Sequence, residues 1–119
     1  VRPTGAEVLP QDSTSLMRLS FSPRAEADLE EIGDYIALDS PVRALNFVRE
    51  LRSQAARVVV APKACPMRPD LAPDIRMLVF RSYLVFYRAL DHEVRIERIL
   101  HSSRDLPDVF GAEDDPLNG

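Results

Sequence analysis

The side chain best suited to exchanging a proton near neutral pH is His101. It ends an alternating apolar run, Val94 to Leu100, three residues before Arg104. An imidazole in that position can serve as an acid or a base, or it can hold the strand end through a hydrogen bond. Arg104-Asp105 reads equally as a pair that fixes the C-terminal turn to the body. Arg68, Arg76 and Arg81 form either a basic rim for an acidic partner or the solvated edge of a sheet. Cys65 is the only cysteine, so no internal disulfide forms and four-cysteine metal sites are excluded. His92 and His101 are the only histidines, too few for a histidine-rich zinc site. No metal and no cofactor are expected.

The charge is informative once it is divided. Residues 17–110 carry 14 Arg and Lys against 14 Asp and Glu, and 13 of the 14 cations are Arg. The net charge of −4 comes from the ends, where Glu7, Asp12, Glu113, Asp114 and Asp115 face only Arg2. Proteins that hold nucleic acid through its phosphates carry a clear basic excess. This chain has none, and direct nucleic-acid binding is not expected. No window approaches the ~20 consecutive apolar residues of a membrane helix. The N-terminus lacks a charged start followed by an apolar core. A cytoplasmic protein without a membrane span is the expectation.

The elements that must position these residues follow from periodicity and punctuation. Residues 1–16 are rich in Pro, Gly and small polar residues and read as an extension of uncertain origin. Met17 to Phe21 alternates as a short strand. Ser22-Pro23 is a helix start, with Glu26, Asp28, Glu30 and Glu31 early in the helix. Ala25, Leu29, Ile32 and Ile36 lie on one face, with Tyr35 beside them, and the helix ends near Asp39. Ser40-Pro41 repeats the start signal. Ala44, Phe47, Val48, Leu51, Ala55 and Val58 then recur at helical spacing until Ala61-Pro62. Two helices with so short a joint make an antiparallel hairpin. Four prolines, Pro62, Pro66, Pro69 and Pro73, make the next segment a loop. Asp74–Phe80, Tyr83–Leu90 and Val94–Leu100 are strand-like, and their short connections predict an antiparallel meander. The second of these runs is apolar on both faces, so it should be central and covered. The fold class is α+β in the order β-α-α-β-β-β, one domain over residues 17–110, with an acidic tail at 111–119.

That order, with its anchor residues, resembles the ParE/RelE toxin family. The resemblance spans residues 17–110. It rests on Ser22-Pro23, Ala27-Asp28-Leu29, Ile32 and Tyr35-Ile36, and then on Pro41, Ala44, Phe47 and Leu51. Pro62, Arg68, Arg76 and Tyr83-Leu84-Val85-Phe86-Tyr87 follow. The last piece is Ile99-Leu100-His101-Ser102-Ser103-Arg104-Asp105.

The resemblance implies the toxin of a type II toxin–antitoxin pair, held inactive by a cognate ParD-like antitoxin and associated with plasmid stabilisation. One branch of the family poisons DNA gyrase, and the other cuts messenger RNA on the ribosome. Cleavage through a 2′-hydroxyl needs a proton acceptor, cations on the phosphate and an acid for the leaving oxygen. The ribonuclease branch draws these from sheet lysines and arginines and a C-terminal tyrosine. Here Arg76 and Arg104 match cationic positions. Leu84 stands where ribonucleases carry an arginine, and Phe110 stands at the tyrosine position. The expected function is therefore a gyrase-binding toxin with no catalytic activity of its own. Its target-binding residues would come from Arg68, Arg76, Arg81, His101, Arg104 and Asp105. Antitoxin contacts would come from the helical stripe of Leu29, Ile32, Ile36, Phe47 and Leu51. The alternatives are a ribosome-dependent ribonuclease using Arg76, His101 and Arg104, or an inactive antitoxin-binding regulator.

Overall fold

In a computed structural model, residues 17–113 are described. The expected N-terminal extension and most of the acidic tail lie outside these residues. Strand β1 (Arg18–Phe21) leads into helices α1 (Pro23–Ala37) and α2 (Pro41–Val58). Strands β2 (Arg76–Phe80), β3 (Tyr83–Ala89) and β4 (Glu93–His101) follow, then a short helix α3 (Leu106–Glu113).

Both long helices begin as the Ser-Pro signals predict. The Ser22 hydroxyl accepts from the Ala25 amide at 3.0 Å, and the Ser40 hydroxyl accepts from the Arg43 amide at 3.2 Å. Each bond satisfies an amide that the helix itself leaves unpaired. The Ser22 hydroxyl also donates to the Glu97 carbonyl at 2.8 Å, which ties the start of α1 to β4.

The strands form one sheet in the order β1-β4-β3-β2. β2, β3 and β4 make the expected antiparallel meander. β1 runs parallel to β4, pairing Arg18 with Glu93 and Phe21 with Ile96, so the sheet is mixed rather than wholly antiparallel. Short turns dictate the meander. The partner of β1 is set by the path of the hairpin across the sheet, which no local signal encodes.

Two cores result. One side of the sheet packs under the hairpin, where Leu29, Phe47, Leu51, Val58, Val85, Tyr87, Ile96 and Ile99 meet. On the other side, Leu71, Ala72, Ile75, Phe86, Leu100 and Phe110 form a second cluster. β3 alternates between the two, as a strand apolar on both faces must. The loop from Pro62 to Pro73 and helix α3 thus cover the face opposite the hairpin. Sequence reasoning did not identify α3, although Asp105 precedes it and Pro107 lies in its first turn. This helix extends past residue 110 to Glu113.

The start of β2 also differs. Asp74 has φ 58° and lies before β2, which starts at Arg76. A short polar side chain tolerates that left-handed geometry, but a strand does not continue through it. Arg81, in the two-residue turn between β2 and β3, has φ 54°.

In β4 the pairing slips. Phe86 faces Arg98 while Tyr87 faces Ile96, which leaves Glu97 as the extra residue of a bulge. Beyond it, Arg98, Ile99 and Leu100 are buried in succession. β1 has ended by this point, and Asp28 of α1 takes its place on the edge. The carboxylate accepts from the Ile99 amide at 2.9 Å. It also grips the Arg98 guanidinium through two bonds, at 2.8 and 3.1 Å. Both side chains are about nine-tenths buried.

Removing one partner of such a pair strands a buried charge. Asp28→Ala is expected to cost about 3–5 kcal/mol in urea denaturation, and Asp28→Ala with Arg98→Met distinctly less, because no ion is left behind.

A second prediction concerns Tyr87, whose ring is fully buried and whose hydroxyl donates to the Pro62 carbonyl at 2.8 Å. Burial pushes this phenol well above its ordinary value, and the neighbouring Cys65 adds to the shift. Because the folded state holds the proton more tightly, this contribution is complete below pH ~10 and is lost as pH rises beyond it. Tyr87→Phe is expected to cost about 1 kcal/mol at neutral pH. It should also flatten the alkaline fall in Tm.

Candidate functional site

A chain of edge-to-face aromatic contacts runs from the core to the surface at one end of the sheet. Phe47 of α2 packs on Phe80 at 5.4 Å and on Tyr83 at 5.3 Å between ring centroids. Tyr83 packs on His101 at 5.2 Å. Such contacts fix ring orientation beyond what area burial alone does. His101 lies opposite Tyr83 in the sheet, at the last position of β4. Its Nδ1 accepts from the Ser103 amide at 3.1 Å and lies 2.8 Å from the Ser103 hydroxyl. With Nδ1 accepting from a backbone amide, the neutral ring carries its proton on Nε2. The Arg104 amide in turn donates to the His101 carbonyl at 3.0 Å, which tightens the turn after β4.

These residues open on a recess of about 190 Å³ between α1 and the end of β4. Asp28, whose carboxylate is already held by Arg98 and the Ile99 amide, lines it from α1 together with Glu31, Ile32 and Tyr35. Tyr83, Ile99, Leu100, His101 and Arg104 line it from the sheet. Burial, and to a smaller extent Tyr35 nearby, push the Tyr83 phenol above its ordinary value, so it stays a hydrogen-bond donor at neutral pH. The Arg104 side chain is exposed and makes no ion pair or hydrogen bond among the described residues. The recess therefore offers a guanidinium, an imidazole N–H and phenolic hydroxyls toward one volume, with Glu31 on its rim. Sequence reasoning had not placed Glu31, Tyr35 or Tyr83 in a site. The available signal at Tyr35 was an aromatic beside the apolar stripe of α1 rather than within it, and the side chain is 71% exposed.

The other predicted residues lie elsewhere. Arg76 faces Tyr87, four residues along β3 from the Tyr83–His101 pair, a separation of about 14 Å. Its guanidinium donates to the Cys65 and Lys63 carbonyls, at 2.7 and 3.2 Å. Arg68 is paired with Asp70 at 2.8 Å in the same loop, and the Asp70 carboxylate raises the pKa of its guanidinium. Arg81 is near the aromatic chain, stacked on Phe80 and paired with Glu50. Asp105 accepts the first intrahelical bond of α3, from the Val109 amide at 3.1 Å, and forms no ion pair with Arg104. The expected ribonuclease set of Arg76, His101 and Arg104 is therefore not assembled, because Arg76 is committed to the loop at the far end of the sheet. Phe110, at the tyrosine position, is 4% exposed and packs on Phe86 at 4.9 Å.

Of the stripe expected to meet an antitoxin, Leu29, Phe47 and Leu51 are core residues with no surface to offer. Ile32 and Ile36 are half-buried. The exposed apolar surface lies at the hairpin corner instead, at Tyr35, Leu38, Val42 and Leu45. Among the described residues no helix is long and apolar enough to cross a membrane.

Arg76→Gln is expected to loosen the loop, with faster amide exchange around Ala64 to Met67, and to leave the recess at the end of β4 intact. Two-dimensional NMR reads both effects.

Comparison with known proteins places this geometry. The family model described as the ParE toxin of the type II toxin–antitoxin system parDE matches residues 19–106. No curated protein matches the sequence. Among solved structures, the chromosomal ParDE toxin–antitoxin system from P. aeruginosa is similar. Its TM-score is 0.64 with 28% identity, covering 73% of this chain and 97% of that one. A double-arginine mutant of E. coli RelE in the free state shares the fold, with a TM-score of 0.58 and 16% identity over 84% of this chain and 98% of that one. Isolated E. coli RelE does so with a TM-score of 0.53 and 20% identity over 82% of this chain and 96% of that one. The β-α-α-β-β-β order, the mixed sheet and the match across most of the chain agree, and the chain belongs to the ParE toxin family of type II toxin–antitoxin systems.

Proposed function

We propose that this ParE-family toxin acts by binding DNA gyrase and stabilising the enzyme with its DNA cut and unsealed, without catalysis of its own. In this reading a ParD-like antitoxin neutralises it. The observation that carries the first part is the dispersal of the groups a sheet-face ribonuclease needs. Arg76 is tied into the loop, Leu84 is apolar, and Phe110 is a core residue without a hydroxyl. The cationic and proton-transferring groups on which phosphodiester cleavage draws in the ribonuclease branch are thus not gathered on one face. A toxin so built acts through the surface it presents.

Expression of residues 17–119 without antitoxin is expected to arrest growth. The purified protein, at micromolar concentration, is expected to inhibit gyrase supercoiling and to accumulate cleaved DNA. Unaffected gyrase together with cut transcripts in a translating extract would assign the chain to messenger RNA instead. Absence of growth arrest would make it an inactive antitoxin-binding regulator.

A further inference from the structure

Half of the 14 cationic side chains of the domain are paired with carboxylates of the same chain. Arg43 is paired with Asp39, Arg52 with Glu26, Arg68 with Asp70, Arg81 with Glu50 and Arg98 with Asp28. Arg104 is set apart by its position. It has no such partner among the described residues, and it stands at a recess that also holds the ring of His101 and the hydroxyl of Tyr83. The recess has room for one side chain. Its wall of Ile32, Ile99 and Leu100 is apolar, so a charge seated against it interacts more strongly than one in open water.

Tyr35 lines this recess and also the shallow depression formed with Ile36, Leu38 and Asp39 at the hairpin corner. Leu38 is 87% exposed and Val42 67%, the largest concentration of uncovered apolar surface along the hairpin. An anion receptor and an apolar shelf thus adjoin each other across one aromatic ring.

We propose that this paired surface is the docking site for an acidic side chain of the antitoxin, flanked by an apolar one. The carboxylate sits between Arg104, the His101 Nε2–H and the Tyr83 hydroxyl, and the apolar neighbour covers Tyr35 and Leu38. This assignment rests on the toxin reading above. The charge pattern selects a peptide over a nucleic acid. Glu31 in the recess lining, with Glu30 and Asp34 on the same helix, opposes a polyanionic backbone more strongly than a single carboxylate drawn to Arg104. Charge-assisted bonds of this kind are the strong ones at interfaces.

The test uses the full chain and a blocked Leu-Glu-Leu tripeptide, followed by NMR. Saturable shifts at Tyr83, Ile99, His101 and Arg104 are expected, weakened about ten- to a hundredfold for the Leu-Gln-Leu analogue and for Arg104→Gln. Equal binding of the two peptides, or no shifts at the recess, overturns the proposal. So does tighter binding of a short oligonucleotide at the same resonances.

A second arm uses the product of the small gene beside this one, co-purified as a complex. One acidic residue in its C-terminal half is expected to couple to Arg104 in a double-mutant cycle. Additivity of Arg104→Gln with every acidic substitution refutes the antitoxin as occupant. Neither arm depends on gyrase, so a failed supercoiling assay and a failed docking site are separate results.

Discussion

The buried contact between Asp28 and Arg98 is the constraint on which the arrangement of this domain depends. β1 is only four residues long and stops at Phe21, which leaves the outer half of β4 with amides that have no strand to pair with. Unpaired backbone groups away from water are costly. Asp28 resolves this by offering its carboxylate to the Ile99 amide and the Arg98 guanidinium together. Helix α1 therefore acts as an edge partner as well as a lid on the core. Its angle across the sheet is fixed at two points, Ser22 on the Glu97 carbonyl and Asp28 two turns later.

That fixing point determines where the recess forms. With α1 held against β4 at Asp28, Glu31, Ile32 and Tyr35 of its next turns stand across the recess from the end of β4. The bulge at Glu97 shifts the alternation so that Ile99 enters the hairpin-side core and Leu100 the opposite one. His101 then emerges at the sheet's end, against Tyr83. A salt bridge at the floor of the hairpin thus sets the geometry of the residues around the recess.

The parts of this structure legible in the sequence are those governed by neighbours in the chain. Ser22-Pro23 and Ser40-Pro41 announced both helices, the four prolines announced the loop, and the two-sided apolar character of β3 announced its central place. The parts that were not legible depend on distant partners. Asp28 reads as one more acid in the first turns of a helix, and Arg98 as an exception in an alternating strand. Nothing local says that they meet. The same holds for the parallel pairing of β1 with β4. Arg76 entered the ribonuclease set as a match to a cationic strand position of that branch, and His101 as an acid or base close to Arg104. The register of β3 separates them by four residues. Helix α3 was missed because eight residues with a proline near the start carry little periodic signal.

The placement of β1 against the last strand also has a consequence for synthesis. Arg18 pairs with Glu93, 75 positions later in the chain, so the sheet cannot close until nearly the whole domain has been made. Contacts of such long sequence separation form late and only after a large loop has been ordered. The residues at the recess, His101 and Arg104, are later still. A nascent chain therefore displays its hairpin, including the uncovered corner at Tyr35 and Leu38, well before the recess beside that corner is complete.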